Sequence, residues 1–212
     1  MFKDYTLDLD VERLVGGIPR HPEIVRRWQE ARWKEGKPQP GDPQTPEEAA
    51  ERTIELLGEQ VHEEVAGIWT GFVEIPDGGG LAMEGRQIKA MFKESANILR
   101  TMIKVGGKTI PLRARVAERV FVVERLIPLG VAAPTGTIER PIHVMTAQGP
   151  RTALKRTDYV DHAKVTCHLK LLEDGLITEE ILDQILQHAS LNGIGTDRSQ
   201  GAGTFTYSLT AS

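Results

Sequence analysis

The chain has 212 residues, 40% of them hydrophobic and 26% charged, an ordinary globular composition that excludes wholesale disorder. Its net charge of −4 conceals a segregation: Arg86 to Lys170 holds 16 Lys/Arg against 6 Asp/Glu, and the rest of the chain 10 against 24. No apolar run approaches the roughly 20 residues that a membrane helix needs. The opening MFKDYTLDLD does not read as a signal peptide, and the one cysteine, Cys167, excludes an internal disulfide, so a cytoplasmic protein is expected.

In chain order, Phe2 to Leu9 alternates as a first strand, and Gly16 to Pro19 reads as a turn. A helix is expected from Pro22 to about Trp33, then an internal loop over residues 37–46, which contain four prolines. Thr45 caps a second helix that runs to about Val65, with Glu47 and Glu48 in its first turn, where the helix dipole favours carboxylates. Ile68 to Ile75 reads as a strand, Pro76 to Gly80 as a turn, and Leu81 to Met83 as a short paired strand. Glu84 to Ile103 has the helical period through Ile88, Met91, Phe92, Ala96 and Leu99, with Lys89 and Lys93 on its basic side. Val120 to Val123 and Pro141 to Met145 read as strands, and Leu126 to Pro134 as extended chain. Gln148 to Pro150 is a turn, with Arg151, Lys155 and Arg156 on a loop or hairpin arm beyond it. Ala163 to Leu172 alternates as a half-buried strand, and Thr178 caps a helix whose apolar face is Ile181, Leu182, Ile185, Leu186 and Ala189. Thr204 to Leu209 alternates again. The whole is read as a single α+β domain over 1–212, closed by a strand–helix–loop–strand unit at 163–209.

The loop in that unit, LNGIGTDRSQGAGTFTY, sets Gly193, Gly195, Gly201 and Gly203 around Asp197, Arg198, Ser199 and Gln200. Glycines permit positive φ and close approach of a backbone, and the polar residues between them offer amide, guanidinium and hydroxyl donors to a phosphate. The loop has no G-K-[ST] and follows a helix, so it is neither a P-loop nor a dinucleotide fingerprint. A helix, a G-x-G…R-S-x-G-x-G loop and a final strand resemble the glycine-rich loop of the RAMP superfamily, the ferredoxin-like RNA-binding proteins of CRISPR systems. The resemblance covers about a fifth of the chain by the span of its matching elements. It implies a ferredoxin-like or RRM-like antiparallel sheet with helices on one face, here with an N-terminal helical elaboration. It also implies RNA held along a basic groove, with Gly193, Gly195, Arg198, Ser199, Gly201 and Gly203 as matching positions, and often head-to-tail assembly.

The basic middle of the chain suits a polyanion, and Arg151, Lys155, Arg156, Lys89 and Lys93 are its candidate phosphate contacts. The opposing reading is that the acidic and basic segments pair with each other. The expected partner is RNA or single-stranded DNA, with a homo-oligomer or an effector complex as the assembly and no membrane. No cofactor or metal is expected: Asp158, Asp161, His162 and Cys167 match no ligand spacing. His168, beside Lys164 and Lys170, is the best acid/base candidate for a metal-independent endoribonuclease, but no catalytic motif marks it, so the reading leans away from catalysis. Trp33 is a candidate for base stacking, whereas Trp28 and Trp69 read as core. A phage-type structural or assembly protein is the alternative of a different class.

Overall fold

The computed structural model describes residues 1–20, 67–146 and 149–211, without the side chains of 67–68, 77, 142–146 and 149–154. The two helices expected before residue 66 and the loop at 37–46 lie outside the described residues. The strands are Phe2–Val15 (β1), Ile18–Pro19 (β2), Gly67–Gly71 (β3), Val73–Glu74 (β4) and Leu81–Glu84 (β5). Helix α1 is Gly85–Leu99, followed by Lys104–Val105 (β6), Lys108–Thr109 (β7), helix α2 at Leu112–Arg119 and Val120–Val122 (β8). Leu126–Pro128 (β9), Gly136–Thr146 (β10), Gly149–Leu172 (β11), helix α3 at Glu179–Asn192 and Phe205–Ala211 (β12) complete the described chain. They fall into two compact units, the first being residues 1–15, 73–135 and 159–212, the second 16–72 and 136–158.

The first unit is a ferredoxin-like α+β fold. Its sheet has the order β12-β1-β11-β8, every pairing antiparallel, with α1 between β1 and β8 in the chain and α3 between β11 and β12. Alternation selects its two faces. Tyr5, Leu7, Leu9 and Val11 of β1 and Val165, Cys167, Leu169 and Leu171 of β11 are buried. Ile88, Met91 and Phe92 of α1 and Leu182, Ile185 and Leu186 of α3 are buried likewise, which completes the core. A capping box joining Glu84 and Gln87 starts α1, and Thr178 Oγ1 accepts from the Ile181 N–H to start α3. Cys167 is core, and burial, with Glu124 and Asp8 adding to it, pushes its thiol up to about 12.

The other face is polar, and there the acidic and basic segments do meet. Lys170 Nζ bonds Asp4 Oδ1 at 2.6 Å, Lys164 pairs with Asp10, and the Thr166 hydroxyl donates to Asp8 at 2.6 Å. His168 Nδ1 sits against Glu124, whose carboxyl burial would raise, but hydrogen bonds from the His168 ring and N–H hold it below its ordinary value. Part of the charge segregation is therefore internal ion pairing.

β1 and β11 are both longer than their alternation suggested. Burial runs on odd positions to Val11 and then moves to Leu14 and Val15, while opposite it runs from Val160 to Ala163. Between them His162 has φ 51°, and the Glu12–His162 pair is missing from an otherwise constant register. The kink shifts the apolar period on both strands; Arg151, Lys155 and Arg156 lie in strand β11, which pairs with the preceding β10, so they stand on a hairpin arm and not in a loop.

In the second unit β2 pairs antiparallel with β3, β3 runs parallel to the 154–157 stretch of β11, and β10 pairs with β11. Its described polar centre is Asp158, 1% exposed, whose Oδ1 accepts from Trp69 Nε1 at 3.0 Å and from the Thr137 hydroxyl at 3.0 Å. Arg20 Nε stands 3.5 Å from Asp158 Oδ2. The guanidinium carbons of Arg20 and Arg156 lie 5.5 and 5.3 Å from the Trp69 ring centroid, so Trp69 is a half-buried ring in contact with two cations and not simple core.

Candidate nucleic-acid interface

The glycine-rich loop leaves α3 at Gly193 and enters β12 at Phe205. Most of its amides are engaged within the unit. Gly193 N–H bonds Ala189 O at 2.8 Å, Ile194 N–H bonds Gly203 O at 2.9 Å, and Thr196 N–H bonds Val15 O at 3.2 Å. Gly203 N–H bonds Arg13 O at 2.8 Å, so the end of β1 and the loop are laced together. Gly193, Gly195, Gly201 and Gly203 have φ of 80°, 89°, 85° and 81°. Three of them also lack room: a Cβ would lie 2.6 Å from Ala202 O at Gly193, 2.9 Å from Val15 O at Gly195, and 1.9 Å from Ile194 O at Gly203.

Gly201 is different. A Cβ there would meet nothing within 4 Å, and Ser199, Gln200 and Gly201 form an exposed turn over a short 3-10 helix, Arg198–Gln200. The Ser199 hydroxyl has no hydrogen-bond partner among the described residues. Arg198 is anchored: its Nη1 bonds Glu94 Oε2 of α1 at 2.6 Å, and Asn192 Nδ2 bonds Glu94 Oε1 at 3.4 Å. Burial acts to raise the Glu94 pKa, but the Arg198 guanidinium and the Asn192 amide outweigh it and hold the carboxyl below the usual range. A depressed acid contributes stability above its unfolded pKa and loses it as pH falls through its folded one. Protection of the amides at residues 198–203 from hydrogen exchange, taken relative to the intrinsic rate at each pH, is accordingly expected to fall in acid below the ordinary glutamate range more than in the α1 core. Equal loss of protection in both places would show that the pair does not hold the turn.

The remaining candidates divide between the units. Lys89, in the first, donates to the carbonyls of Val116 at 3.2 Å, Ala117 at 2.8 Å and Val120, so it caps the end of α2. Burial, and then neighbouring Lys93, lowers its pKa. Lys93 is half-buried on α1. Lys155 and Arg156 are half-buried in the second unit, Arg156 Nε standing 3.6 Å from Glu139 Oε1. The side chain of Arg151, like Trp28 and Trp33, lies outside the described residues.

Asp158 faces Trp69 and Thr137, whereas Asp161 accepts from Arg13 Nε at 2.6 Å, and among the described residues no group of three His, Cys, Asp or Glu could hold an ion. No helix among the described residues is long and apolar enough to cross a membrane. What sequence reasoning missed is the contact between Phe2 and Phe121, both exposed, with ring centroids 5.8 Å apart. Pairing of β8 with β11 brings them together, and no local pattern announces it.

No family model matches the chain, and no curated protein matches it in sequence. Among solved structures, a chain in the cryo-EM structure of the Type III-B Cmr-beta bound to cognate target RNA is 9% identical with a TM-score of 0.43, over 99% of this chain and 61% of that one. A chain in a Type IV-B CRISPR complex is 9% identical with a TM-score of 0.45, over 98% of this chain and 90% of that one. The chain thus spans under two thirds of the first of these.

Proposed function

We propose that this protein is a non-catalytic nucleic-acid-binding subunit, similar to RAMP backbone subunits, that holds RNA or single-stranded DNA by phosphate contacts. The observation that carries the reading is the exposed turn 198–201, which a closely packed glycine loop presents at the end of a ferredoxin-like unit. The turn offers the Ser199 hydroxyl, the Gln200 amide and a partly exposed Arg198 guanidinium, donors that a phosphodiester accepts. In the second unit Lys155, Arg156 and Arg151 form a further cationic group in the sequence of β11. RNA is the ligand named for the Type III-B structure; for this chain the reading rests on the turn and on the basic residues.

The test is anisotropy of a labelled uridine oligonucleotide across a salt series. Ser199→Asp places a charge where a phosphate would lie and leaves the core alone, so binding is expected to weaken by about tenfold or more, the scale of removing a charge-assisted hydrogen bond. Replacing Arg151, Lys155 and Arg156 with alanine is expected to flatten the log–log salt slope by about 0.7 for each phosphate no longer neutralised. Wild-type affinity in both variants would remove these residues from the interface.

A further inference from the structure

The chain has five phenylalanines, of which Phe72, Phe92 and Phe205 are buried. The other two, Phe2 and Phe121, are 49% and 42% exposed, and they touch edge to face, their planes at 77°. Both lie on the polar face of the sheet in the first unit. Phe2 continues the solvent-side series of exposed Asp4 and half-buried Thr6, and Phe121 is register partner to Lys170. Val123, 53% exposed, extends the same apolar corner. Lys89 Nζ, fixed by the carbonyls of α2, is 5.1 Å from the Phe121 centroid.

Two rings held half in water contribute little to the core, yet each is oriented by the other. Exposed aromatic faces beside a fixed ammonium are the chemistry that receives an unpaired nucleobase, with the ring stacking and the cation near the adjoining phosphate. A protein partner fits less well. A stable protein interface needs about 800 Å² from each side, whereas the face beyond this corner returns at once to the Asp4–Lys170, Asp8–Thr166 and Asp10–Lys164 contacts. We infer that Phe2 and Phe121 form a stacking platform for unpaired bases of a single-stranded nucleic acid. The inference rests on the nucleic-acid reading above and deepens it, adding base contacts at a place remote in sequence from the phosphate-binding turn.

Two measurements test it. In wild-type protein irradiated with a bromouridine-substituted oligonucleotide, adducts are expected on the peptides containing Phe2 or Phe121. In the Phe2→Leu/Phe121→Leu variant, which keeps apolar volume, affinity is expected to fall by about 5- to 50-fold, the scale of base–aromatic stacking. Its salt slope is expected to stay unchanged, because every phosphate-neutralising cation is still in place. Wild-type affinity in that variant, with adducts confined to other peptides, would overturn the platform and leave the proposed function standing. A variant that binds normally but loses a concentration-dependent oligomer in light scattering would overturn it in favour of contact between copies. Wild-type protein that binds no oligonucleotide at any salt would remove both the platform and the reading beneath it.

Discussion

Gly203→Ala is expected to be among the most damaging substitutions in the glycine-rich loop, and Gly201→Ala, two residues away, one of the mildest. At Gly203 the new methyl would lie 1.9 Å from Ile194 O and 2.7 Å from Ile194 N, at φ 81°. The same two residues share a 2.9 Å hydrogen bond, and Gly203 N–H holds Arg13 O, so neither neighbour can retreat without breaking the lacing of the loop to β1. Left-handed strain of about 1–2 kcal/mol and overpacking of about 1–3 kcal/mol act together there. At Gly201 the strain stands alone, because the space around it is open. Thermal unfolding of the two variants should therefore differ: a drop of about 4–20 °C for Gly203→Ala and about 2–8 °C for Gly201→Ala, the former always the larger. Equal shifts would mean that the loop is not packed as described.

The second large effect is expected at Asp158→Ala in the other unit. This carboxylate is 1% exposed and takes two 3.0 Å hydrogen bonds, from Trp69 and Thr137, with Arg20, 9% exposed, beside it. Removing one member of a buried charged group leaves its partners desolvated and poorly compensated, a loss of about 3–5 kcal/mol. Denaturant unfolding followed by circular dichroism measures it. Asp158→Asn, which keeps the oxygen that accepts from Trp69 and Thr137, should lose less. A loss of under about 1 kcal/mol for the alanine variant, the range of a surface pair, would show that the cluster is solvated and not a buried centre.

Residues whose partners are close in sequence were legible in the sequence. The alternation of β1, the period of α1, and the Thr178 cap and apolar face of α3 each depend on local spacing, and all are present. The shift of period at His162 hid the length of β11, since a strand that kinks changes which residues face the core. Helix α2 went unread because it is short and rich in arginine, with only Leu112 and Val116 buried. The Gly106-Gly107 turn joining β6 to β7 was a signal available in the sequence, two glycines at positive φ between short paired strands.

Within the candidate interface, sequence identified the loop but not the duties of its members. Spacing put Lys89 on a basic helix side, whereas its ammonium sits on the carbonyls ending α2, a contact across 27 or more residues. Arg198 stood out beside its glycines, but its bond to Glu94 spans 104 residues and had no local trace. Charge counted along the chain also overstated what is available, because β1 and β11 neutralise part of it across the sheet.

The lacing of the glycine-rich loop has a kinetic corollary. Its N–H groups are already satisfied by the unit's own carbonyls at Gly193, Ile194, Thr196, Gln200, Gly201, Ala202 and Gly203. On the proposed function, a nucleic acid arriving at the tip would meet a preset shape and bear little ordering entropy on capture. Encounter there would then be governed by diffusion and long-range attraction, with no slow rearrangement interposed.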